Sequence, residues 1–165
     1  MNKVIKMQPQ YRNAVQTILQ EVKMFSKVEI TIAMGLIDIY LNDIKQKDYR
    51  IFVALNETDT VLGYLCYGPT ATTQGTYNLY WIAVAKRFQN QGIGRLLLNF
   101  VESEVRRLKG RLLIIETSAR THYAATQQFY QRNDYIIAAR IRDFYAPGDD
   151  RLIYVKYFPE TENLE

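Results

Sequence analysis

The chain opens on a short strand-like run, KVIKM, and then changes period. Pro9 among polar residues suits a turn into a helix, and from Tyr11 onward apolar residues recur at Val15, Ile18, Val22 and Phe25, three or four apart. That spacing lines one face of a helix. A second stripe, Ile30, Met34, Ile37, Leu41 and Ile44, predicts another helix, with Ser26 between the two as an N-terminal cap. The pattern then shifts to strands: YRIFVAL, VLGYLCYG and YNLYWIAV, rich in aromatic and β-branched residues. Their connections, NETDT and PTATTQG, are short enough to favour antiparallel neighbours.

Beyond Val84 the stretch FQNQGIGRLLLNF leads into a third helical stripe through Ile93, Leu97, Phe100, Val101, Glu104 and Leu108. RLLIIETS is almost wholly apolar and reads as a strand buried on both faces. A short helix from roughly Tyr123 to Arg132 precedes two final strands, YIIAARI and RLIYVKYF, with RDFYAPGDD as the loop between them. The order β, α, α, β, β, β, α, β, α, β, β predicts an α/β protein with a mixed sheet.

At 165 residues, 48% of them apolar and 23% charged, the chain suits one domain over 1–165 with a proper core. No signal-peptide core or membrane-length apolar run stands in it, so a cytoplasmic protein without a membrane partner is expected. The single cysteine, Cys66, excludes an internal disulfide, and the single histidine, His122, argues against zinc chemistry and a Ser-His-Asp triad; no metal is expected. A net charge of +4 suits a phosphate-bearing ligand without demanding nucleic acid, which is not expected as a partner. The densest basic run, RRLKGR, reads as a helix end where cations complement carbonyls, with a phosphate or RNA contact as the alternative.

Two glycines one residue apart, Gly92 and Gly94, sit between a strand and a helix start. Unpaired N–H groups at such a start attract phosphate, and glycine lets the backbone approach it. A Walker loop would need Lys and Ser/Thr after Gly94, where Arg95 and Leu96 stand. A dinucleotide-binding GxGxxG would need glycine at Leu97, although Glu116 does end the next strand, so this rival, and with it a nucleotide-dependent oxidoreductase, is weakened and not removed. The third pattern is Q-x-x-G-x-G, met by Gln89, Asn90, Gln91, Gly92, Ile93 and Gly94.

That pattern, after IAV and before RLLL, resembles the acetyl-CoA motif of the GNAT superfamily of N-acetyltransferases, and FYQRNDY resembles the family's LYxxxGF segment. The resemblance, which covers most of the chain, implies a mixed, mostly antiparallel sheet of about seven strands flanked by four helices. It implies that amides of Gln91, Gly92, Gly94 and Arg95 hold the pyrophosphate of acetyl-CoA, while Ile82, Ala83 and Val84 pair with its pantetheine arm. It gives Tyr130 the role of general acid toward the thiolate. For the base, the acid position of histone-modifying members holds Asn78, an amide, whereas Glu116 in IETS matches the acid of the ribosomal-protein N-terminal acetylating members. A lone carboxylate after LLII would be partly desolvated, which raises its pKa; a structural acid bonded to a loop is the other reading.

The chain departs from those members in a longer Glu116–Tyr130 segment, in Tyr123 where their helix begins with Asn, and in Asp134 where LYxxxGF has glycine. Asn and Asp tolerate a left-handed backbone best among non-glycines. DFYAPGDD resembles the YYxxGEDA segment of N-terminal and peptide acetyltransferases, which gives Phe144 and Tyr145 the acceptor groove. Asp143, Asp149 and Asp150, and Glu29 at the second helix start, could attract a cationic amine, or the three aspartates could form a solvated turn. The function implied is transfer of acetyl from acetyl-CoA to a primary amine, a peptide N-terminus, a lysine or a small amine; the alternative is an acyl-CoA-binding sensor module of the same fold. A homodimer is compatible with the sequence.

Overall fold

The computed structural model describes residues 1–159. Its elements are β1 (Lys3–Lys6), α1 (Arg12–Glu21), α2 (Lys27–Asn42), β2 (Arg50–Leu55), β3 (Val61–Pro69), β4 (Thr76–Val84), α3 (Ile93–Arg107), β5 (Leu112–Ser118), α4 (Ala124–Arg132), β6 (Ile136–Ala146) and β7 (Asp149–Tyr157). The strands form one sheet of seven in the order β1-β2-β3-β4-β5-β7-β6. β4 and β5 are parallel, whereas β1 with β2, β2 with β3, β5 with β7 and β7 with β6 are antiparallel. The expected element order and mixed, mostly antiparallel sheet with four helices are both present.

The chain forms two compact units. The first is Met1–Gly68 with Tyr80–Ser103; the second is Pro69–Leu79 with the described part of Glu104–Glu165. In the first, the α1 stripe (Val15, Ile18, Leu19) and the α2 stripe (Ala33, Met34, Ile37) bury against Ile51, Val53 and Leu55 of β2. Ser26 caps α2 as expected: Glu29 N–H donates to Ser26 Oγ at 3.2 Å, and Ser26 N–H donates to the Glu29 carboxylate at 2.7 Å, a capping box. Arg12 grips Asp38 with two hydrogen bonds of 2.5 and 2.7 Å, tying the start of α1 to α2. Both helices stop earlier than their apolar spacing predicts. Val22 and Asp43 turn the backbone out of the helix with ψ of 92° and 95°, so Phe25 and Ile44 lie beyond the ends. Phe25 keeps the spacing because it still packs, edge-on to Trp81 at 5.3 Å between ring centres.

Gly63 fixes how β3 lies against the end of β4. A Cβ there would stand 2.6 Å from the Ala83 carbonyl oxygen and 3.1 Å from the Leu97 side chain, and Ala85 N–H donates to Leu62 O at 2.9 Å beside it. Cys66 is buried on β3, where desolvation pushes its thiol up to about 12.

In the second unit Thr76–Leu79 of β4 runs alongside Leu112–Ile115 of β5. β5 is fully buried on one face only: Leu113, Ile115 and Thr117 are enclosed, whereas Leu112 and Ile114 are half-buried and Glu116 is exposed. The expectation of two buried faces is corrected here. RDFYA is also strand and not loop, because β6 continues to Ala146 and turns onto β7 through Pro147 and Gly148, where Gly148 has φ +79°. Asp143, with φ +53°, marks the irregularity between Ile141 and Ala146 and accepts Gly148 N–H at 2.7 Å. β6 is an edge strand with Ile136–Tyr145 exposed, so its two faces carry no apolar alternation. Asp134 adopts the left-handed turn expected after α4, with φ +68°. The basic run is spent on local contacts: Arg106 lies over Phe158 at 4.6 Å, Arg107 pairs with Glu104, and Arg111 donates to Gln74 O at 2.9 Å.

Candidate active site

In the first unit, the cofactor candidates form one continuous turn from the end of β4 into α3. Ala83 is buried, Ile82 and Val84 are half-buried, and Lys86–Phe88 makes a single tight turn closed by Phe88 N–H donating to Ala85 O at 2.8 Å. Gln89 Nε2 donates back to Val84 O at 3.3 Å and Gln91 Nε2 to Arg87 O at 2.9 Å, so both amides brace the loop with their side chains. Asn90 and Gly92 have φ of +58° and +82°, which swing the backbone into the helix start. The helical ladder begins with Leu96 N–H donating to Gly92 O at 2.9 Å. Helix geometry therefore leaves the N–H groups of Gly92, Ile93, Gly94 and Arg95 without a carbonyl of the preceding turn. A Cβ on Gly92 would meet nothing within 4 Å, so the space at this positive helix end is open. Ile93 is buried and anchors the turn, and Arg95 is exposed. Backbone alone could cradle an anion in such an arrangement. Glu29 of the same unit is committed to the α2 cap.

The second unit holds the other candidates in two clusters. Tyr130 of α4 is buried among rings, 5.5 Å from Phe129, 5.9 Å from Tyr135 and 5.6 Å from Tyr154 between centres. Desolvation first, and Tyr154 second, hold its hydroxyl well above the usual tyrosine range, so it stays protonated at neutral pH. α4 is fastened to β5 by Gln127 Nε2 donating to Ser118 O at 3.0 Å.

Glu116 belongs to the second cluster and is not a lone carboxylate. It forms an ion pair with Arg151 of β7, and the Arg151 guanidinium lies over the Phe144 ring of β6 at 4.5 Å. Phe144 in turn meets Tyr145 edge-on, 5.0 Å between centres at 86°. The structure thus joins Glu116 to the aromatic pair through a residue that sequence reasoning missed. Arg151 heads an apolar strand, and only the register that sets Ser118 opposite Arg151 and Glu116 opposite Ile153 gives it meaning. The three aspartates fasten the hairpin: Asp149 accepts from Ser118 and pairs with Arg120 at 3.2 Å, and Asp150 pairs with Arg140 at 2.5 Å and accepts Asp143 N–H at 2.9 Å. The Asp143 N–H and Arg140 hold the Asp150 carboxyl below its ordinary value. Asn78 donates its amide to Thr70 Oγ1. No group of three or more His, Cys, Asp or Glu suited to a metal ion occurs among the described residues.

Comparison with known proteins adds a family. A model of the GNAT acetyltransferase domain matches residues 47–137. A GNAT-family protein from Desulfovibrio desulfuricans is 38% identical, with 95% of this chain and 99% of that one aligned and a TM-score of 0.90. The ribosomal-protein-S18-alanine N-acetyltransferase from Escherichia coli is 22% identical over 100% of this chain and 99% of its own, with a TM-score of 0.76. A protein from Salmonella typhimurium solved with its cofactor acetyl-CoA is 15% identical over 97% and 95%, with a TM-score of 0.74. At such identities the last two share the fold. A search of curated proteins gives no match.

Proposed function

The chain belongs to the GNAT family of acetyltransferases, and from that premise we propose that it transfers acetyl from acetyl-CoA directly to a primary amine. A peptide or protein N-terminus or a lysine is the first acceptor class, and a small amine the second. The observation that carries the reading is the turn into α3, where Gly92 at φ +82° opens a row of helix-start N–H groups onto free space. N–H groups of Gln91, Gly92, Gly94 and Arg95 bind the pyrophosphate, and the Arg95 side chain is exposed to add charge. Ile82–Val84 pairs its backbone with the pantetheine arm. Phosphate is bound here and not transferred, so no lysine or metal is required of the loop.

Two side chains are assigned the two proton-transfer roles that acid–base work requires. Glu116, ion-paired with Arg151, takes a proton from the acceptor ammonium. The freed amine attacks the thioester carbonyl, the C–S bond breaks, Tyr130, held protonated by burial, gives its proton to the departing thiolate, and the proton shed by the acylated nitrogen restores the Tyr130 phenol. Phe144 and Tyr145, exposed on β6, line the acceptor side. The shared fold with an enzyme named for acetylating the alanine of ribosomal protein S18 supports a protein N-terminus as the first acceptor to try.

The test is thiol release from acetyl-CoA across a panel of peptides, amino acids, polyamines and aminoglycosides, with calorimetric titration of acetyl-CoA alongside. Amine-dependent release, with the acetylated amine identified by mass, is the expected result. Absence of acetyl-CoA binding would overturn the cofactor assignment. Binding without amine-dependent release would overturn the transferase reading in favour of an acyl-CoA-binding module.

A further inference from the structure

We propose that Arg151 is the positioning residue for Glu116: it holds the carboxylate ionised and in one orientation, and the Phe144 ring holds Arg151. The inference rests on Glu116 as the base proposed above. Three strands build the arrangement. Glu116 and Ser118 lie on one face of β5, opposite Ile153 and Arg151 of β7, so Glu116 and Arg151 are diagonal neighbours within reach of a long side chain. On the far side of β7, Ile141 of β6 stands opposite Arg151, and the same strand brings Phe144 over the guanidinium at 4.5 Å.

Arg151 is committed to this task by its burial. Its side chain is 19% exposed, and its Nε is enclosed with no acceptor among the described residues. Desolvation pulls its pKa below the usual guanidinium value, so the ion depends on its counter-charge. Among the described residues, Arg120 pairs with Asp149, Arg140 pairs with Asp150, Asp143 lies in the hairpin turn, and Lys156 donates to Asn133 O at 3.0 Å and lies over the Tyr135 ring. Arg142 acts on Asp150. Arg151 is the ion-pair partner of Glu116. A substrate group pressing on Phe144 would therefore press on the residue that sets the charge state of the base, which couples acceptor binding to proton transfer.

The test reads Glu116 itself. In protein labelled with carboxyl-13C glutamate, with the Glu116 resonance assigned through Glu116→Gln, the titration midpoint is measured by NMR in the native chain and in Arg151→Met. The midpoint rises by about one pH unit or more when the cation is removed. Phe144→Leu, which leaves the cation and loosens its seat, gives a smaller rise. Where Arg151→Met does not fold, Arg151→Gln serves in its place. The acidic limb of kcat/KM moves up by the same amount, because the base must be deprotonated to work; a merely structural arginine would lower activity or stability and leave the limb in place. An unmoved midpoint in the neutral variants overturns the proposal. Full turnover in Glu116→Gln would instead overturn the base assignment while the NMR titration still judged the ion pair, so the two failures are distinguishable.

Discussion

Tyr130 and Gly92 make separable claims at the scale of single residues. Tyr130→Phe keeps the ring that packs against Tyr135 and Tyr154 and deletes the proton. Turnover should fall by about 100-fold or more, with acetyl-CoA affinity nearly unchanged by calorimetry; undiminished turnover would remove it as the acid. Gly92→Ala tests the cradle. A methyl group there touches nothing within 4 Å, so its cost is the left-handed backbone at φ +82°. Stability should fall by about 1–2 kcal/mol, while acetyl-CoA affinity drops further than that strain explains if the loop holds the pyrophosphate. Chemical denaturation and calorimetry on one preparation separate the two effects.

Among elements, the contact of β3 with the end of β4 depends on Gly63, where an added Cβ would sit 2.6 Å from the Ala83 carbonyl oxygen. The obstacle is backbone, which yields little, so Gly63→Ala should cost about 1–3 kcal/mol, read as a lower thermal midpoint. The element order was legible because each helix buries one stripe and each central strand one or both faces. The boundaries were less so. Phe25 continued the α1 stripe because apolar spacing reports burial, and Phe25 is packed on Trp81 although its backbone has left the helix. RDFYA gave no strand signal because β6 lies at the sheet edge with both faces exposed, and alternation appears only where one face is hidden. The glycine turn was readable because its function is local in sequence. Arg151 was not, since its meaning comes from three strands distant in the chain brought into one register.

For the whole molecule, pH exposes opposed ionisations. Tyr64, Tyr130 and Tyr154 are all held above the ordinary tyrosine value of 10.0, chiefly by burial. A folded pKa above the unfolded one gives stability that is whole below pH 10.0 and is lost as pH rises through the folded values, because the unfolded chain gives up its protons first. Thermal midpoints should decline above pH 10.0, and a flat profile to strong alkali would contradict the burial of these hydroxyls. At the acid end the Arg12 hydrogen bond holds Asp38 below its ordinary 3.8, so its contribution is present above that value and fades as pH falls through the lower folded one. Arg12→Met should lower stability slightly at neutral pH, by less than about 1 kcal/mol for so exposed a pair, and make no difference in strong acid. The burial of Cys66 carries a practical consequence. It is the only sulfhydryl in the sequence, and burial with its thiol pushed up to about 12 makes it slow toward alkylating and disulfide reagents while the fold stands. Colour that a thiol reagent develops promptly with this protein and acetyl-CoA therefore counts released coenzyme, and a slow rise without acetyl-CoA would report the chain coming apart.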